Sequence, residues 1–163
     1  MSHEEILAAL RARFPDEVVD QPPGINFTVV IKPERLVELV TFLRDQAGMD
    51  FLSNLAGVDR PDRFEVIYHL YSTRNPAAPF ALKVMLPDKV NPHLPSVTGV
   101  WEGANYQERE AYDLLGIVFD GHPRLERLLL WDGFPGHPLR KDFVNRTFTF
   151  EEMGRTLPPD DKR

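Results

Sequence analysis

The sequence predicts an α+β domain: a mixed, largely antiparallel sheet with helices packed on one face, then a further helix and a long extended C-terminal arm. Three observations predict it. Two runs of alternating apolar residues, 64–71 and 80–86, flank a short turn segment, as the strands of a hairpin do. A helical repeat of Leu36, Leu39, Val40, Leu43 and Ala47 precedes them at i, i+3, i+4, i+7 and i+11. Finally, the stretch 101–143 crowds charge, aromatics, glycine and proline together with little helical period after its first third. Helix, strand, helix and then three strands is an order that places helices against one face of a sheet.

Each element has its own local reason. Ser2 and Glu5 stand at capping-box spacing and open a helix to about Arg13, with Leu7, Leu10 and Phe14 on one side. Pro22-Pro23-Gly24 breaks the chain. Phe27, Val29 and Ile31 then alternate with Asn26, Thr28 and Lys32 as a half-buried strand. Pro33 is expected in the first turn of the next helix, where its missing N–H costs nothing, and Gly48 ends that helix. A strand near 50–59 leads through Arg60-Pro61-Asp62 into the hairpin, whose turn is expected at 75–79. Val66 and Leu82 face the core with their same-parity neighbours. After a proline-rich connection, Ser96 is expected to cap a short helix ending near Trp101. The sheet part spans about 1–90, the later helix and arm about 96–143, and 144–163 form a polar extension.

Composition narrows the function. Of 163 residues, 42% are hydrophobic and 27% charged, ordinary for a globular domain, and the net charge of −6 disfavours a nucleic-acid partner. The absence of cysteine excludes disulfides, thiolate zinc sites and iron–sulfur clusters ligated by this chain. No apolar run approaches a membrane span, and the acidic start, Met1-Ser2-His3-Glu4-Glu5, lacks the apolar core of a signal peptide. The expectation is a chain that meets a membrane only indirectly, through another subunit.

The stretch 101–143 carries the function. Asn105 and Glu108 are at capping-box spacing, and Gly116 follows Leu115 where a left-handed residue ends a helix. On that helix Glu108, Ala111, Tyr112 and Leu115 share one side, and Tyr106, Arg109, Glu110 and Asp113 the other. Two readings of the second side stand: a solvated face with weak ion pairs, or a charged face that meets a partner or the following segment. That segment repeats Gly-His-Pro at Gly121-His122-Pro123 and Gly136-His137-Pro138, holding both histidines on stiff, extended backbone. It closes on Arg140-Lys141-Asp142. The expectation is an arm laid along a surface, neither strand nor linker, in which Arg109, Glu110, Asp113, Arg140, Lys141 and Asp142 form one buried charge network.

Chemistry finds little support. His93, His122 and His137 with Asp120 or Asp132 could gather round a metal, but no pair has the helical i, i+4 spacing that marks such a site. No nucleophile has an adjacent base, and no glycine-rich phosphate loop occurs. The expected catalytic, cofactor-binding and metal residues are none. The aromatics of the arm, Phe119, Trp131, Phe134 and Phe143, suit an interface better.

The ordered run Glu108-Arg109-Glu110-Ala111-Tyr112-Asp113-Leu114-Leu115-Gly116-Ile117-Val118-Phe119, then Gly121-His122-Pro123 and Gly136-His137-Pro138-Leu139-Arg140-Lys141-Asp142, resembles the signature of the 30 kDa subunit family of respiratory complex I. Asn54-Leu55-Ala56-Gly57-Val58-Asp59 and Phe64-Glu65-Val66-Ile67-Tyr68 echo it upstream, so that it covers about 26–143. Val144-Asn145 stands where that pattern carries a proline. The resemblance implies a non-catalytic subunit in the hydrophilic arm of a proton-translocating NADH-quinone oxidoreductase. It would lie peripherally on the cytoplasmic side of the cell inner membrane, beside the large 49 kDa-type quinone-site subunit and other hydrophilic-arm subunits. FMN, iron–sulfur clusters and quinone are then expected in other subunits, with no cofactor here. The same fold family implies alternatives: the equivalent subunit of a membrane-bound hydrogenase, formate hydrogenlyase or plastoquinone reductase. A stand-alone protein-interaction domain is the reading without the resemblance.

Overall fold

The computed structural model describes residues 1–24, 26–74 and 79–154. Three helices, α1 (His3–Arg13), α2 (Leu36–Asp45) and α3 (Ala104–Leu115), and seven strands follow one another in it. The strands are β1 (Val18–Asp20), β2 (Phe27–Ile31), β3 (Phe51–Asp59), β4 (Phe64–Tyr71), β5 (Phe80–Leu86), β6 (His93–Pro95) and β7 (Val118–Asp120). The main sheet runs β1-β2-β5-β4-β3. All its neighbours are antiparallel except β2 and β5, which are parallel, so the sheet is mixed as the sequence predicts.

One apolar cluster joins the helices to one face of that sheet. Ile6, Leu10 and Phe14 of α1 and its end, Leu36, Leu39 and Leu43 of α2, and Ala111 and Leu115 of α3 meet Val29, Ile31, Val66, Tyr68, Leu82 and Val84. Val66 and Leu82 are fully buried, in the predicted phase. Glycine makes the closest approach possible: a Cβ on Gly57 of β3 would lie 2.5 Å from Leu115 Cδ1. That proximity seats α3 over the β3 end of the sheet.

Several local expectations need correction. The Ser2/Glu5 capping box forms, but the Asn105/Glu108 one does not. α3 begins at Ala104 behind Gly103 with no side-chain cap, because Glu108 turns inward to Ser96 and Val97. Ser96 caps no helix; 98–100 form only a turn. α2 starts at Leu36, with Pro33 in the preceding turn, its carbonyl accepting the Leu36 N–H. The arm also contains a strand: β7 pairs in parallel with β6, each three residues long and held by tertiary contact. Residues 75–78 of the turn expected at 75–79, and the end of the tail, 155–163, lie outside the described residues.

Candidate functional site: the helix–arm junction

α3 presents three acids with three different fates. Glu108 points into the core and is fully buried. Its carboxyl accepts the Ser96 hydroxyl at 2.6 Å and the Val97 N–H at 2.7 Å. His122 stands 4.0 Å away, also buried, but its ring has other partners. The Arg124 N–H donates to Nδ1 at 2.9 Å, so the ring proton sits on Nε2, which donates to the Asn105 carbonyl at 3.1 Å. Among the described residues no cation is hydrogen-bonded to Glu108. Burial therefore raises its pKa to about 7, against the lowering effect of Ser96 and the Val97 N–H. The neighbouring Tyr68 hydroxyl is buried with no hydrogen-bond partner among the described residues, and burial, then the nearby Glu108 charge, pushes its pKa well up.

Asp113 is buried as well, yet stays ionised. One oxygen accepts the N–H groups of Leu128, Leu129 and Leu130 at 2.9, 2.8 and 3.0 Å; the other meets Arg127 Nη1 at 2.8 Å. Burial pushes its pKa up, but the backbone donors and the guanidinium outweigh it and hold the carboxyl below its ordinary value. Arg127 then spans the arm, donating from Nη2 to the carbonyls of Phe134 at 3.0 Å and Gly136 at 3.1 Å. Glu110, by contrast, is exposed and has no ion-pair partner among the described residues.

Other signature residues pin the arm at further points. Arg109 donates to the carbonyls of Glu126 and Arg127, both at 3.2 Å. His137 donates from Nδ1 to the Asp113 carbonyl at 2.9 Å, its ring 6.2 Å from that of Tyr112. That ring lies where a Cβ on Gly116 would fall, 2.6 Å from His137 Cδ2, and Gly116 has φ of +76°. Both demands require glycine there. Gly121 and Gly136 flank the two histidines, and Pro123 is exposed while Pro138 is half-buried.

The single six-charge network expected from sequence is not what forms. Arg140 and Lys141 lie at the far end of the arm, against the sheet: Arg140 Nη2 donates to the Lys89 carbonyl at 2.5 Å, and the Lys141 N–H donates to Asp59 Oδ2 at 2.8 Å. Asp142 is exposed beside Arg140 at 3.5 Å. Asp59 is in turn paired with Lys89 Nζ at 2.5 Å. Two separate anchors, Asp113–Arg127 and Asp59–Lys89, replace the one network. Arg127 and Lys89 carry no role in the sequence expectations, while Ser96 binds Glu108 where a helix cap was expected and Asp59 anchors the arm where only a family echo was expected.

The three histidines weighed for a metal diverge to Asp120, Asn105 and Asp113. Among the described residues no three His, Cys, Asp or Glu side chains are grouped as metal ligands, and no helix is long and apolar enough to cross a membrane.

This junction is a way of fastening an irregular chain to a helix, and similar chains are subunits of respiratory assemblies. A family profile described as "Respiratory-chain NADH dehydrogenase, 30 Kd subunit" matches residues 29–149. The NADH-quinone oxidoreductase C subunit of Roseiflexus sp. (strain RS-1) is 46% identical over 148 residues, covering 87% of this chain and 84% of that one. The corresponding C subunit of Moorella thermoacetica is 43% identical over 147 residues, covering 88% and 97%. In fold, a chain in the structure of the membrane-bound sulfane sulfur reductase, an archaeal respiratory membrane complex, superposes with a TM-score of 0.73 over 98% of both chains at 20% identity. The chain belongs to the 30 kDa subunit family of the respiratory-chain NADH dehydrogenase, the family of the C subunits of complex I-type NADH-quinone oxidoreductases.

Proposed function

We propose that this chain is a non-catalytic brace in the hydrophilic arm of such a complex, lying peripherally on the cytoplasmic side of the membrane. It holds the large 49 kDa-type quinone-site subunit and performs no redox step itself; flavin, clusters and quinone belong to its neighbours. The observation that carries this is the Asp113 anchor. An irregular arm has too few contacts of its own to be rigid, and one buried carboxylate fixes three successive backbone N–H groups and a guanidinium on it. The fixed arm exposes Leu129 and Leu139, with relative exposures of 62% and 61%. Apolar and arginine side chains on a preorganised segment are what a stable protein interface uses.

Deleting the gene and restoring it with wild type or Asp113→Ala tests the reading. The expected result is that Asp113→Ala restores little assembled complex and little quinone reduction by membranes. Full assembly without the chain would overturn the proposal, as would a stoichiometric flavin or cluster on the purified chain.

A further inference from the structure

The main sheet has two edges, and they differ. β1 is three residues long, its register slips, and Pro22-Pro23 follow it closely. Short, irregular, proline-flanked edges resist further pairing. β3, at the opposite end, runs nine residues with no lysine, arginine or proline. Its one irregularity lies at the start, between Leu52 and Asn54; from Asn54 to Asp59 it pairs regularly with β4.

An antiparallel edge strand turns the N–H and C=O of every second residue outward. The Leu55 N–H identifies that set, because it donates to Gln107 Oε1 on α3. Gly57, two residues on, therefore also faces out. Gln107 is held in place by its own donation to the Gly103 carbonyl at 3.0 Å, so its Oε1 stands where the carbonyl of a paired strand would stand. The arm lies at the Asp59 end of this edge, with the Lys141 N–H on the Asp59 carboxylate and the Leu139 N–H on the Leu114 carbonyl at 3.0 Å. Between the bulge and the arm remains a groove of about 170 Å³, with Asn54–Gly57 on one wall, Gln107, Glu110 and Leu114 on the other, and Leu139 at its end.

We propose that this groove receives an extended segment of a neighbouring polypeptide, which adds to the edge of β3 and places a lysine or arginine opposite Glu110. Backbone pairing at Leu55 and Gly57 supplies the affinity, with the Gln107 amide yielding its place. Glu110, exposed and unpaired among the described residues, sets the register and selects a basic segment. The inference rests on the subunit reading, because the neighbour is another subunit of the complex.

Hydrogen exchange at single-residue resolution, on the full chain alone and in the assembled complex, tests it. The outward amides of Leu55 and Gly57 should slow in the complex by on the order of tenfold or more, while Ala56 and Val58, already paired with β4, change little. Because the chain has no cysteine, Asn54→Cys places a single thiol at the groove, and maleimide should label it in the free chain but not in the complex. Glu110→Lys should remove the slowing at Gly57; slowing that persists undiminished in this variant overturns the charge selection. Assembly with unchanged exchange at Leu55 and Gly57 overturns the inference and leaves the subunit reading intact. A shielded thiol with unchanged amides also overturns it, since a neighbour then covers the groove without pairing. A chain that enters no complex fails the reading beneath it.

Discussion

Glu108 gives the most quantitative test of the core beneath the arm. An ordinary glutamate carboxyl titrates near 4.5, and burial raises this one to about 7. A group whose folded pKa lies above its unfolded one binds its proton more tightly in the folded state. Its stabilising contribution is therefore fully present below about pH 4.5 and is lost as pH rises through about 7. A difference of that size corresponds to roughly 3 kcal/mol. Glu108→Gln keeps the shape and an acceptor for the Val97 N–H but cannot ionise. Urea unfolding of both proteins at several pH values between about 5 and 8 should show the variant gaining on wild type by roughly 2.5 kcal/mol across the range. The buried Asp59, Glu65 and Asp113 have lowered pKa values and act oppositely, losing stability only toward acid, so they cancel in the comparison. Parallel profiles for the two proteins would refute a buried Glu108 without a cationic partner.

Other outcomes follow from the same geometry. Leu82→Ala should cost about 2–5 kcal/mol in urea melts, and Lys83→Ala far less, because Arg60 and Arg63 still pair with Glu65 at 3.1 and 2.7 Å. Gly57→Val should cost about 1–3 kcal/mol from overpacking against Leu115, read in the same melts. Arg127→Ala should leave the sheet's melting cooperative while limited proteolysis cuts near 128–130 far faster than in wild type, since Asp113 loses its charge partner. Equal cutting rates would count against the clamp.

The sheet is legible where sequence period and burial coincide. α2 repeats its apolar residues at helical spacing, and β4 and β5 alternate them, so both read in the right phase. Alternation carries no strand direction, however, and the parallel pairing of β2 with β5 depends on a crossover through α2, β3 and β4. β6 and β7 are not legible, since each is three residues long and exists only because the other is beside it. The anchors divide along the same line. Asp113 stands out as a charge on a helix, but its main partners are backbone N–H groups 15 to 17 residues away, which carry no side-chain signature. One signal could have pointed to Arg127: an arginine just before a three-leucine run in a segment otherwise lacking helical period. The spacing of Glu108 fits a cap for α3, yet Ser96 and Val97 compete for the same carboxylate and win.

In the function proposed above, the clamped arm joins this chain to the large quinone-site subunit. Recovery of that subunit with affinity-tagged chain from solubilised membranes is the decisive assay, using wild type, Asp113→Ala and the exposed control Arg11→Ala. Wild type and Arg11→Ala should recover the subunit equally, and Asp113→Ala should recover little of it despite normal cooperative melting of its sheet. Equal recovery with all three proteins would contradict the claim.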